Sequence, residues 1–228
     1  MHFEQNKGCF FAFEGIDGCG KSTQARRFAA RMRGSGLCVA ETCEPTDLPV
    51  GRLLRAYLAG THKAEDKVLA MLFAADRLDH LLQPEKGVLA QLDKGIHVVS
   101  DRYYLSNYAF QSRRLPLEHV RMLNAHSVEI AKPTCHVFID VSPETALARI
   151  TQNRSSQELY ETLEMLTAVR NSYFNIMPRL QDEETIIIIN GERDEAEIAD
   201  SIWKSLSDTL GVRFIGLQAD EYTHEDYR

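Results

Sequence analysis

Five short apolar runs punctuate the chain: CFFAFEG at 9–15, LCVAETC at 37–43, GIHVVSD at 95–101, CHVFIDV at 135–141 and TIIIIN at 185–190. None alternates strictly between apolar and polar, so each predicts a strand buried on both faces. The segments between them, roughly 20–34, 51–94, 103–127, 143–180 and 194–208, carry helical periodicity. Strands alternating with helices define an α/β fold: a five-stranded parallel sheet with helices on both faces, and a ligand site beyond the carboxyl ends of the strands. Helix boundaries show in GSG at 34–36 and in Pro143 and Glu144 after Ser142, a candidate N-cap. Val68, Met71, Leu72, Ala75, Leu78 and Leu82 form the apolar stripe expected to turn one helix toward the core. The polar run TQNRSSQE at 151–158 interrupts a helical stretch and suits a mobile flap. No repeat or linker divides residues 1–210, which are expected to form one domain; the acidic, aromatic stretch 211–228 receives no role.

Charge and composition narrow the function classes. Acidic residues outnumber basic ones, 33 to 26, giving a net charge of −7. The summed field opposes binding to nucleic-acid polymers or anionic membranes, so any phosphate site must be built locally. The five cysteines are odd in number and contain no C-x-x-C pair, which fits a reducing cytoplasm better than a disulfide framework or zinc site. The start, MHFEQNKG, lacks a signal-peptide pattern, and no run approaches the roughly 18 apolar residues of a membrane helix.

The first chemical signal is FEGIDGCGKST at 13–23. Gly15, Gly20, Lys21 and Ser22 satisfy G-x-x-x-x-G-K-[ST] between a strand and a helix, the context of a phosphate loop. Together with Gly18, Cys19 and Thr23 they form a candidate ATP loop: backbone amides point into one concavity, Lys21 reaches the β- and γ-phosphates, and Ser22 can bind Mg²⁺. The pattern implies a three-layer α/β/α P-loop NTPase fold. The anomaly is Asp17, a carboxylate where anions should sit. It either bonds its own loop or faces a second substrate.

Asp101 closes the third strand beside this loop and is suited to Mg²⁺ or to an N-cap. In DRYYLSNYAFQ at 101–111, Tyr103, Ser106, Asn107, Phe110 and Gln111 share one helical face. Its mixture of rings, hydroxyl and amides suits a planar heterocycle with hydrogen-bonding edges, or else an ordinary helix flank. Phe73 and Arg77 stand i, i+4 in LFAADR, offering a ring to stack and a guanidinium to donate, with core packing and a solvated charge as the plainer alternatives.

The ordered set FEGIDGCGKST, EPTD then GRLLR, LFAADR, DRYYLSNYAFQ, FIDVSPETALARI, and ELYE then VRNSYF resembles the thymidylate kinases over nearly all of residues 8–208. The resemblance implies ATP and dTMP as substrates, Mg²⁺ with the ATP, and a homodimer. It implies that Phe73 stacks on thymine, that Arg77 bonds an exocyclic oxygen, and that Ser106, Asn107 and Gln111 line the base pocket. Tyr103 matches a tyrosine that packs on the sugar, and Arg55 and Arg102 match arginines that hold the acceptor phosphate. Asp17 then faces the acceptor's sugar hydroxyl and phosphate. The flap, about 149–161, becomes a short mobile lid whose Arg149 and Arg154 supply positive charge. Glu158, Tyr160 and Glu161 approach the acceptor sugar. Cys19 stands where some members have arginine, so Arg154 is the expected substitute; Cys43 replaces an arginine before Glu44, and Phe110 replaces a tyrosine.

The implied reaction needs no base, because a phosphate monoester is largely dianionic at pH 7, its second pKa lying near ~6. A nucleoside kinase would instead want a carboxylate base for a neutral hydroxyl, and Glu44 is placed to serve. Another deoxynucleotide or deoxynucleoside kinase is therefore the alternative enzyme, and a non-catalytic nucleotide-binding regulator the alternative class. Against dUMP, discrimination rests on one methyl group, worth about 1–3 kcal/mol.

Overall fold

The computed structural model describes residues 7–153 and 162–211. Its strands are β1 (Phe10–Glu14), β2 (Val39–Cys43), β3 (His97–Asp101), β4 (Cys135–Asp140) and β5 (Ile186–Asn190). All pair in parallel, in the order β2-β3-β1-β4-β5. The helices are α1 (Lys21–Gly34), α2 (Pro49–Leu58), α3 (Asp66–Leu82), α4 (Val88–Asp93), α5 (Tyr104–Gln111), α6 (Leu117–Ile130), α7 (Pro143–Asn153), α8 (Leu163–Leu180) and α9 (Glu195–Leu210).

The alternation of β1 distributes its side chains to two helical layers. Phe11 and Phe13 meet Phe28 of α1, which in turn meets Trp203 of α9. Phe10 meets Tyr103 on the opposite face, and Phe138 of β4 packs on Tyr173 of α8. The sheet is thus covered on both sides, and β1, β3 and β4 bury nearly every residue. The outer strands depart from the expectation of double burial: β2 is half-exposed, and Ile188 of β5 is 55% exposed. Each is an edge strand, paired on one side only among the described residues.

The long helical segments are subdivided where backbone chemistry demands it. Gly60, at φ 77°, ends the turn after α2. Pro116 caps the start of α6, and Thr162 caps α8 by accepting from the Met165 amide. Ser142 does cap α7, its hydroxyl accepting from Thr145 N at 3.2 Å. The stripe on α3 faces the other way from the one expected. Val68, Met71 and Leu82 are exposed, whereas Leu69, Ala70, Asp76, Arg77, His80 and Leu81 are buried. Pairing of these polar groups with β2 and α6 overrides the apolar stripe in setting the helix rotation.

Candidate active site

β1 delivers the chain to the phosphate loop, and α1 carries it away. Gly18 has φ 78°, and a Cβ there would lie 2.3 Å from the Ala146 carbonyl oxygen, so close packing on α7 requires glycine. Gly20, at φ 92°, precedes α1 directly, and nothing lies within 4 Å of the place its Cβ would take. The concavity above it is part of a cavity of about 390 Å³ whose lining includes Asp17, Lys21, Ser22, Arg149, Arg193 and Glu195. Lys21 Nζ donates to Ile16 O at 3.3 Å and lies 3.6 Å from Asp17 Oδ1. Arg149 reaches in from α7, donating to Gly191 O at 3.0 Å and Cys19 O at 3.4 Å. Burial pushes the Cys19 thiol up, so it packs as a neutral group and contributes no charge.

Ser22 donates a short hydrogen bond to Asp101 Oδ2, joining the start of α1 to the end of β3. The other oxygen, Oδ1, is buried without a hydrogen-bond partner. A hydroxyl, a carboxylate and an unspent oxygen at one point form a hard donor set that fits Mg²⁺, which takes few protein ligands and fills its shell with water and substrate phosphates. Among the described residues no cluster of three or more His, Cys, Asp or Glu offers a complete protein cage.

Arg102 follows Asp101 in the left-handed region, at φ 74°, where a non-glycine residue costs about 1 kcal/mol. It is held there by its own N–H to Phe13 O at 2.8 Å and by Ser100 Oγ donating to its carbonyl at 2.7 Å. The turn aims the guanidinium at Asp17 Oδ1, 2.6 Å away, and at Ser106 Oγ, 2.9 Å away, over the ring of Phe110. Although burial works against its charge, the neighbouring acids, Asp17 foremost, hold Arg102 above its ordinary pKa. Asp17 thus stands between Lys21 and Arg102, at the border of the loop and the α5 wall.

The opposite wall is a buried polar network. Arg77, 1% exposed, pairs with Glu44 Oε2 at 2.6 Å, donates to Asn124 Oδ1, and lies 3.4 Å from Asn107 Oδ1. Its Nε is buried without a partner. His80 bridges Glu44 and Thr42, at 3.0 and 2.6 Å, and Asn107 donates to Gln111 at 2.9 Å. Phe73 stands half-buried one turn before Arg77. Arg55, at the end of α2, donates to Pro45 O and lies 3.7 Å from Cys43 Sγ, a thiol that burial pushes up and keeps neutral.

Three of the expected positions are engaged within the protein. Tyr103 is fully buried, its hydroxyl donating to Ala131 O at 2.8 Å and its ring packed against Phe10. The ring beneath Arg102 is that of Phe110. Ser106 is likewise occupied within the protein, between Arg102, Glu14 and Tyr173. Glu44 is committed to Arg77 and His80, which removes it as a free base. Arg154, Glu158, Tyr160 and Glu161 lie outside the described residues. Glu14, His80, Asn124 and Arg193 were not expected at the site. Only Glu14 carried a sequence signal, a carboxylate closing an apolar strand.

A glycine loop between strand and helix, a carboxylate closing the neighbouring strand, and this all-parallel order define a P-loop nucleotide kinase fold. The family model described as thymidylate kinase matches residues 13–202. A putative thymidylate kinase of Aeropyrum pernix is 40% identical over 167 residues, 73% of this chain and 77% of that protein. A probable thymidylate kinase of Methanococcus aeolicus is 34% identical over 204 residues, 87% and 96% of the two chains. A thymidylate kinase of Leptospira borgpetersenii is 32% identical over 173 residues, 76% and 83%. The chain belongs to the thymidylate kinase family.

Proposed function

We propose that this protein transfers the γ-phosphate of ATP to dTMP, giving dTDP and ADP. The observation that carries this reading is Asp17 suspended between Lys21 and Arg102, 3.6 and 2.6 Å away. Two cations converge where the donor loop meets the acceptor wall, and the acid between them offsets their mutual repulsion. The dianionic acceptor is already a nucleophile, so the work left to the protein is alignment and neutralisation of two repelling anions. Lys21 reaches the donor phosphates, while Arg102 and Arg55 hold the acceptor phosphate and Asp17 accepts from the sugar hydroxyl. Ser22 and Asp101 would hold Mg²⁺, whose chemistry is charge neutralisation across the donor phosphates. Phe73 stacks on the base, Phe110 faces the sugar, and Arg77 with Asn107 and Gln111 reads the base edge. Arg149, together with Arg154 in the lid, adds positive charge over the transferring group.

The exposed stripe Val68, Met71 and Leu82, with Leu53 on neighbouring α2 and Met122 on α6, supports a homodimer. No helix among the described residues is long and apolar enough to cross a membrane, and the five cysteines are free thiols, which supports a reducing cytoplasmic setting. The test is the initial rate of ADP formation from Mg-ATP with dTMP, dUMP and dCMP. dTMP should lead, with dUMP about 10–200-fold lower in kcat/KM for want of one methyl group; a preference for dCMP would overturn the assignment of the pocket.

A further inference from the structure

β4 carries a histidine where a core strand would ordinarily place an aliphatic residue. His136 is fully buried and paired in register with Ala12 of β1 and Ile186 of β5. Its Nδ1 lies 3.8 Å from Glu14 Oε1 and its Nε2 lies 3.6 Å from Glu184 Oε2. Those are ion-pair separations, and neither ring nitrogen has a hydrogen-bond partner. Tyr104 of α5 lies edge-on to the ring, 5.1 Å between centroids, and its hydroxyl donates to Glu184 Oε1 at 2.8 Å. Lys132, after α6, approaches Glu184 from the outside at 3.7 Å, and Tyr173 of α8 donates to Glu14 at 3.3 Å. One imidazole therefore stands between two buried carboxylates, a placement that favours the doubly protonated ring.

Glu14 connects this cluster to the reaction. Its Oε1 accepts from the Tyr103 amide at 3.0 Å, and its Oε2 accepts from Ser106 Oγ. Those two contacts hold the chain immediately after the left-handed Arg102, whose guanidinium donates to the same Ser106 oxygen. A strained residue persists only where its surroundings over-determine it.

We propose that His136 is a positioning residue: as an imidazolium bridging Glu14 and Glu184, it anchors the carboxylate that fixes Arg102 toward the acceptor phosphate. Burial alone would lower the histidine's pKa, but Glu14 and Glu184 outweigh it and the net shift is upward. Because the folded value lies above the unfolded one, the bridge is complete below the ordinary histidine value of ~6.5 and is lost as pH rises through the folded value. Without it, two carboxylates face each other across a neutral ring, and Glu14 loses one of the charges that hold it.

The inference rests on the dTMP kinase reading, so its test has one arm that needs no turnover. In wild-type protein with isotope-labelled histidine, NMR should show the His136 ring doubly protonated at pH 7; a neutral ring would overturn the proposal. Kinetically, His136→Gln should raise KM for dTMP about tenfold, the worth of one charge-assisted contact, with KM for ATP within twofold. The wild-type KM for dTMP should climb at alkaline pH, whereas that of H136Q stays flat. Adding Glu184→Gln, which removes the carboxylate facing Glu14, should restore part of the affinity. Equal changes in both KM values, or none, would reduce His136 to a packing role. If H136Q does not fold, the wild-type NMR titration and alkaline KM profile decide alone. Wild-type enzyme inactive toward dTMP but carrying a protonated His136 would instead fault the functional reading.

Discussion

The two halves of the site are built from different materials. The donor half is a contiguous loop whose working atoms are backbone amides and one lysine, opening on a cavity of about 390 Å³. The acceptor half is assembled from side chains distant in sequence, with Glu44, Arg77, His80, Asn107 and Asn124 buried and mutually bonded. In the first, the proposed function sits on a glycine loop whose one lysine, though buried, contacts the loop's own Ile16 carbonyl and Asp17. In the second, the groups proposed to recognise the acceptor are also bonded into the buried interior.

The largest effect should therefore come from the acceptor half. Arg77→Leu leaves Glu44 in a buried place with only His80 opposite, and should cost about 3–5 kcal/mol of stability. Urea denaturation reads it directly, and a variant as stable as the parent would break the contrast. On the donor side, Lys21→Ala should lower kcat about 10²–10³-fold while the denaturation midpoint moves little. A matching loss of stability would mean that the loop lysine is structural as well. The smallest effect belongs to the border. Phe110→Tyr adds a hydroxyl to the ring beneath Arg102, worth about 0.5–1.5 kcal/mol if it finds a partner. KM for dTMP should shift a few-fold at most with kcat unchanged; a large loss would show that the ring's apolar edge is needed.

The same contrast explains what could be read before the fold was known. The phosphate loop, the five strands and the parallel order are local or topological, and a linear pattern carries them. Asp17 was recognisable as an anomaly because its neighbours are adjacent in sequence. The rotation of α3 was not legible: its apolar stripe suggested one buried face, but Asp76 pairs with Thr46, Arg77 with Glu44, and His80 with Thr42, each partner 30 or more residues away. Tyr103 and Phe110 lie seven positions apart and so share a helical face on paper. Tyr103 in fact precedes α5 in extended backbone, at φ −155°, which turns its ring into the core. Asn124 and His80 gave no signal because an isolated amide or imidazole on a helix has none until its partners are placed.

The central claim is that the acceptor is a nucleotide whose phosphate is its own nucleophile, and it is tested most directly by offering the enzyme dTMP and thymidine side by side with Mg-ATP. Phosphorus NMR of the products should show dTDP and ADP from dTMP and no phosphorylation of thymidine, since Glu44 is held by Arg77 at 2.6 Å and His80 at 3.0 Å. dTMP forming from thymidine faster than dTDP forms from dTMP would contradict the account and return Glu44 to the role of a base.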